Sequence, residues 1–159
     1  MIGLTGPELT TEAIQKLKLT KLQTEHINRI VLACHRDYVA LHRRHANVGK
    51  DAAGRILVTV EPFYEECLAL AKRLQTELGG IVDPVLLPVM KNGELPFQIF
   101  NWGGACNQTI TLWKADGKYH VEEKLTSSPG HPRDPFTFNI SGPKLEEIPP
   151  QFRIYWREE

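Results

Sequence analysis

The chain has 159 residues, which is enough to bury a core in one domain without disulfide bonds. Its 19 Lys and Arg residues balance its 19 Asp and Glu residues, so the zero net charge removes the electrostatic argument for a nucleic acid or an anionic membrane as partner. No stretch approaches the roughly 18 apolar residues needed to span a bilayer, and no apolar signal region follows Met1.

The first long periodic segment begins at an L-T-x-x-Q sequence, in which Thr20 is the predicted N-cap of a helix and Gln23 its partner in a capping box. Apolar residues then recur at spacings of three and four, which places them on one stripe of that helix. The stripe consists of Ile27, Ile30, Val31, Cys34, Tyr38 and Leu41. Gly49 suits the position just past a helix end, and Asp51 suits the N-cap of a second helix.

The second arm, residues 51–78, admits two interpretations. Its first part is β-branched and typical of a strand, and Pro62 normally starts a helix. The apolar residues nevertheless keep one helical register across the proline, which favours a single kinked helix. They are Ile56, Val60, Phe63, Cys67, Leu70, Leu74 and Leu78. The alternative is a strand over residues 55–60 followed by a helix over residues 62–78.

Two amphipathic helices with a short loop form an antiparallel hairpin whose apolar seam needs a partner. Residues 1–90 are predicted to hold this hairpin with short flanking helices, and residues 91–159 a small antiparallel β segment with a proline-rich tail that shares one core with it. The predicted fold class is α+β: a long antiparallel helical hairpin packed against a small antiparallel β-sheet.

The strongest β signal is a hairpin with strands over residues 108–114 and 118–125, joined by Asp116-Gly117 as a type I′ turn. One face of this hairpin is apolar and the other polar. The apolar face holds Ile110, Leu112, Val121 and Leu125; the polar face holds Thr109, Thr111, Trp113, His120, Glu122 and Lys124. A further strand is predicted at residues 136–140, and residues 151–156 form an aromatic tail that packs back or lies on an edge.

The polar face carries the candidate binding residues. Trp113 and His120 are expected to form a cross-strand pair, and an exposed aromatic residue there is a candidate binding anchor. The alternative is that the proline-rich loops cover this pair. Trp102, which precedes a Gly-Gly break, is the third candidate binding residue.

The candidate metal ligands are His35, His42 and His45, which recur at spacings of about two turns and one turn on the first helix. Two of them with a neighbouring carboxylate would suit zinc or copper. The set lacks i, i+4 pairing and His45 falls on the apolar stripe, so surface and core-edge histidines are the alternative. No other cofactor is predicted.

The cysteines allow two further hypotheses. Cys106 follows a Gly-Gly turn and is a candidate nucleophile, although no base lies near it in the sequence. Cys34 and Cys67 lie centrally on the two helical stripes and would pair if the protein is exported. The favoured interpretation of this pair is that both are small buried hydrophobic residues.

The L-T-x-x-Q sequence at residues 19–23 resembles the signature of the LTxxQ-motif, Spy/CpxP-like, extracytoplasmic helical-hairpin proteins. At the place of that family's second motif, residues 81–84 lack the Thr and the Gln. The chain is more similar to a group with a small C-terminal β segment, which shares the Trp102-Gly103 turn and an aromatic, proline-rich end. This resemblance implies an extracytoplasmic or periplasmic location and a role in stress response or chaperoning.

The sequence therefore predicts a non-enzymatic interaction protein that binds a protein partner, or itself, through the helical hairpin, with no nucleic acid and no membrane span. The first alternative is a metal-responsive sensor that uses the helix histidines. The second is a small hydrolase that depends on Cys106.

Overall fold

The computed structural model of the chain describes residues 11–81 and 104–156. These residues form two compact units. One contains residues 11–40 and 64–81, and the other contains residues 41–63 and 104–156. The predicted domain boundary after residue 90 lies outside the described residues.

The first unit is helical and contains α1 (Thr11–Lys16), most of α2 (Lys21–Arg44) and α3 (Tyr64–Gly79). The predicted capping box at the start of α2 is confirmed. The Gln23 N–H donates to Thr20 Oγ1 at 3.2 Å, and the Thr20 N–H donates to Gln23 Oε1 at 2.9 Å. The predicted apolar stripe of α2 is buried or half-buried along its length.

Arg73 on α3 contacts α2 through two side chains. Its Nη2 donates to Asp37 Oδ2 at 2.5 Å and lies 3.4 Å from Cys34 Sγ. Cys34 and Cys67 are both buried free thiols, as expected of small buried hydrophobic residues, and they do not form the disulfide that export would have allowed. Burial raises the pKa of Cys67 to about 12, which keeps the thiol protonated and unreactive at neutral pH.

The second unit holds a five-stranded antiparallel sheet, in which each strand pairs with its neighbour in sequence. The strands are β1 (Ala46–Lys50), β2 (Ile56–Val60), β3 (Asn107–Ala115), β4 (Lys118–Thr126) and β5 (Phe136–Gly142). The predicted β3–β4 turn is confirmed, with positive φ angles of 50° at Asp116 and 72° at Gly117. The predicted strand at residues 136–140 is confirmed as β5.

The predicted fold class, a long helical hairpin packed against a small sheet, is wrong, because residues 51–78 do not form one helix. They contain β2 and α3 instead, as in the alternative interpretation. The spacing of Ile56 and Val60 was compatible with both structures, because four residues are close to one helical turn and are also two strand repeats. Val58 separates the two cases: it lies off the helical stripe, yet it shares the buried strand face and is 0 % exposed.

One face of the sheet, called the covered face below, is buried over most of β2, β3 and β4. Its buried residues are Ile56, Val58, Val60, Gln108, Ile110, Leu112, Val121, Glu123 and Leu125. After β5 the chain forms a 3-10 turn (Leu145–Glu147) and a short helix, α4 (Pro150–Arg153). The predicted aromatic tail packs back, because Phe152 and Tyr155 are almost fully buried and Trp156 contacts Tyr119 edge to face at 5.3 Å.

None of the described helices is both long and apolar enough to span a bilayer.

Candidate functional site

The opposite face of the sheet, called the polar face below, carries mostly exposed or half-buried side chains. The pleat and the strand register place these residues on it: Leu57, Thr59, Thr109, Thr111, Trp113, His120, Glu122, Lys124, Thr137, Asn139 and Ser141. Among them Thr111 is buried, at 8 % exposure. Glu122 and Lys124 form an ion pair at 3.2 Å. The face therefore offers hydroxyl, amide and charged groups around one large aromatic residue.

Trp113 and His120 lie directly opposite each other on β3 and β4, as the sequence predicted. Their rings are stacked, with centroids 5.1 Å apart and planes inclined by 8°. The His120 Nε2–H donates to the Ala115 carbonyl at 3.3 Å, which orients the imidazole. Both rings are half-buried, so each presents part of its surface to solvent.

Arg55, the residue that precedes β2, completes the arrangement. Its guanidinium carbon lies 5.3 Å from the centroid of the Trp113 ring, which is the geometry of a cation–π contact. Because β2 and β4 flank β3 on opposite sides, Arg55 and His120 approach Trp113 from opposite sides. These three residues are called the Trp113 stack.

The β1–β2 turn holds Arg55 in position. Asp51 Oδ1 accepts the backbone N–H groups of Ala53 and Arg55, both at 2.9 Å, and its Oδ2 accepts Arg55 Nε at 2.7 Å. The Arg55 N–H is the main reason that the pKa of Asp51 lies below its usual value. Gly54, at a φ of +77°, lets the chain reverse within this turn. The Arg55 side chain remains 45 % exposed, so this oriented cation still meets solvent.

The side chains of the Trp113 stack are therefore ordered by contacts within the chain. Its side chains are held by stacking, by an ion pair and by bonds to the main chain, so binding has little rotamer freedom left to remove. Ordering a free side chain costs roughly 0.5–1.5 kcal/mol on association. Within the stack, His120 contacts an aromatic ring and a main-chain carbonyl.

The three predicted metal ligands have different surroundings. His35 is buried near the Tyr38 ring, at 6.2 Å between centroids. His45 lies just beyond α2 and stacks on Phe63, with centroids 5.3 Å apart. Over residues 11–81 and 104–156, no group of three or more His, Cys, Asp or Glu side chains is arranged to hold a metal ion.

His42 belongs to a buried polar cluster in the second unit. Its Nε2 lies 3.0 Å from Gln108 Oε1, and its Nδ1 lies 2.9 Å from the Tyr155 hydroxyl. Burial lowers the pKa of His42 to about 4, so the ring is neutral at pH 7. Because Gln108 Oε1 only accepts, Nε2 carries the proton and Nδ1 accepts the Tyr155 O–H. Both ring nitrogens therefore serve the fold, tying α2, β3 and the end of the chain together.

Cys106, the candidate nucleophile, is 5 % exposed. Arg133 Nη1 lies 3.4 Å from its Sγ. A guanidinium stays protonated and cannot act as a general base, so this contact does not supply the missing catalytic partner. His131, the histidine nearest to Arg133 in the sequence, forms a backbone bridge with Ser128. Trp102 lies outside the described residues.

Sequence patterns missed Arg55, Gln108, Glu123 and Tyr155. Arg55 was assigned to a helix, although a strand register would have placed it opposite Trp113. Glu123 alternates with apolar neighbours on the covered face and is only 1 % exposed. The alternation of side chains along β4 identifies the face on which Glu123 lies, but it does not identify the group that Glu123 contacts there.

Comparison of the chain with protein-family models, with curated proteins and with solved structures finds no match.

Proposed function

We propose that this protein is a non-enzymatic binding protein that docks a protein partner on the polar face of its sheet, with the Trp113 stack as the anchor. The observation that carries the proposal is a half-exposed Trp113 held between Arg55 and His120 on an otherwise polar surface. The predicted long helical hairpin is not proposed as the docking surface, because residues 51–78 form β2 and α3 and not one helix.

The composition of the stack supports a protein partner. Trp and Arg are enriched among residues that dominate the binding energy of interfaces, especially where neighbouring groups exclude water from them. The surrounding Thr, Asn and Ser side chains resemble the polar rim of such an interface. The zero net charge of the chain gives no preference for a polyanion.

The extracytoplasmic location and the stress or chaperone role remain proposals that come from the resemblance alone. Thr20 and Gln23, the polar letters of the L-T-x-x-Q sequence, cap α2 through two reciprocal hydrogen bonds. Many unrelated helices begin in this way, so the motif has a structural explanation without any shared function. Cell fractionation of the tagged full chain tests the location: recovery in the cytoplasmic fraction alone would refute it.

A photo-crosslinking amino acid at Lys118 tests the binding proposal in the native host. Lys118 is exposed and lies two residues from His120 on the same strand and face. The proposal predicts a crosslinked product with one protein other than this chain. The same amino acid at Arg29, which is exposed on α2 in the other unit, should not give that product.

Three variants show whether the product depends on the stack. Trp113→Ala should abolish it, whereas Asn139→Ala, at an exposed position of the same face, should retain it. Arg55→Lys keeps the charge but loses the planar group that stacks on the indole, so the yield should fall. A product that survives Trp113→Ala in a folded variant would contradict the proposal.

A further inference from the structure

The outer strand β5 presents an apolar surface beside an edge with which no other described strand pairs. Among the described strands β5 ends the sheet, with β4 on one side only. Phe136 and Phe138 lie on the same face of β5 and are 47 % and 40 % exposed. Two large apolar side chains at this exposure on adjacent positions of one face are unusual for a surface that only meets water.

The sequence of β5 does not guard this edge. Sheets commonly protect an outer strand with charged side chains, especially Lys, because an open edge pairs readily with another strand. Phe136–Gly142 contains no charged residue. The other outer strand, β1, is shorter and ends in Gly49 and Lys50, which are both exposed. The two edges of the sheet therefore differ in their capacity to accept a further strand.

We infer that β5 pairs with β5 of a second copy of this chain, antiparallel and about a two-fold axis that passes at Phe138. In this register Phe138 meets Phe138 of the second copy, Phe136 meets Ile140, and Thr137 meets Asn139. A two-fold axis perpendicular to the sheet keeps each face on its own side. Apolar side chains thus meet apolar ones on the covered face, and polar side chains meet polar ones on the polar face.

Crowding at the C-terminal end of β5 favours an axis at Phe138 over one further along the strand. Gly142 is buried, and a Cβ added there would lie 2.9 Å from Glu147 Oε2. Pairing centred on Asn139 would place Phe136 against this crowded position. Centring on Phe138 uses residues 136–140 only and leaves Gly142 outside the paired segment.

Electrostatics also permit a second copy as the occupant. The seven residues of β5 are uncharged, and the chain has 19 positive and 19 negative side chains, so two copies do not repel each other at long range. The inference does not depend on the proposed function. If both hold, the paired sheets carry two Trp113 stacks on one continuous face, which would favour a partner with two binding sites.

The mass of the purified full chain in solution, measured by light scattering across a concentration series, tests this pairing. The wild-type chain should give twice its mass of 18.0 kDa. Phe138→Glu and Phe138→Lys should each reduce the mass to that of one chain, because two like charges would then meet across the axis. An equimolar mixture of the two variants should restore the doubled mass.

The matched control is Val48→Glu, which places the same charge at an exposed apolar position on the other outer strand. It should leave the doubled mass unchanged. Circular dichroism confirms that each variant is folded. As a second readout on the wild-type chain, amide hydrogen exchange over residues 136–140 should slow as the concentration rises.

Each other outcome overturns the inference. A wild-type mass of 18.0 kDa at all concentrations, with protected β5 amides, would mean that another part of the same chain covers the edge. A doubled mass that persists in Phe138→Glu, or that Val48→Glu abolishes, would place the contact between copies elsewhere. A different protein on the edge would leave the purified chain as a single copy.

Discussion

Replacing His42 by Gln should flatten the dependence of folding stability on pH between pH 7 and pH 4. Burial lowers the pKa of His42 from 6.5 to about 4 in the folded chain. In the unfolded chain the imidazole is hydrated and binds a proton near pH 6.5, whereas the folded chain leaves it neutral until about pH 4. Acidification over this range therefore stabilises the unfolded state, and the wild-type fold loses stability.

The size of the loss follows from the two pKa values. The pKa of His42 is 6.5 in the unfolded chain and about 4 in the folded chain. At ~1.4 kcal/mol per pH unit, the free energy of unfolding falls by about 3 kcal/mol in total, and the fall is complete below pH 4. Roughly 2 kcal/mol of it falls between pH 7 and pH 5. The lowered pKa of Asp51 acts in a different range, because the stability that it contributes is lost only as the pH falls below its ordinary value of 3.8.

Urea unfolding at pH 7, 6 and 5, followed by far-UV circular dichroism, measures this contribution as a difference between variants. His42→Gln should be less stable than wild type at pH 7, because Gln108 and Tyr155 lose well-placed partners, at about 1–3 kcal/mol. From pH 7 to pH 5, however, His42→Gln should lose about 2 kcal/mol less stability than the wild-type chain loses. His26→Gln removes an exposed histidine and should keep the wild-type slope. Equal slopes for His42→Gln and wild type would refute the burial argument.

Two further predictions concern local structure. Gly104→Ala should be more destabilising than Gly130→Ala by roughly 1–3 kcal/mol in thermal or urea unfolding. Both glycines have positive φ, but only at Gly104 would the added Cβ lie 2.9 Å from a ring, that of Phe63. Equal losses of stability would contradict this contact. Thr20→Ala should cost about 1 kcal/mol, and a double-mutant cycle with Gln23→Ala should show coupling because each residue bonds the other's backbone; additive losses would argue against the capping box.

The parts of the fold that the sequence predicted are those with two agreeing local signals. The β3–β4 hairpin combined alternating apolar and polar residues with Asp116-Gly117, a turn that requires positive φ at both residues, and the observed register follows. The first long helix combined a capping pair with an apolar stripe of sufficient length. Residues 56–60 had conflicting signals, since a spacing of four fits a strand and a helix, and local β-branching decided the outcome.

The candidate site was predictable only where one hairpin contains it. Trp113 and His120 are seven residues apart and a single turn places them together. Arg55 reaches the same ring only once β2 pairs with β3, which no local pattern in the sequence specifies. His42 was a candidate metal ligand in the sequence. Its hydrogen bond to Tyr155, 113 residues further along the chain, could not be seen from the local pattern.

The most direct test of the binding proposal is the dissociation constant of the crosslinked partner, once identified, for purified wild-type, Trp113→Ala and Asn139→Ala chains. If the Trp113 stack anchors the interface, Trp113→Ala should cost at least about 2 kcal/mol, or roughly thirtyfold in Kd, as expected of a central aromatic residue. Asn139→Ala, on the same face but outside the stack, should change Kd by less than about threefold. Equal dissociation constants for folded wild-type and Trp113→Ala chains would contradict the account.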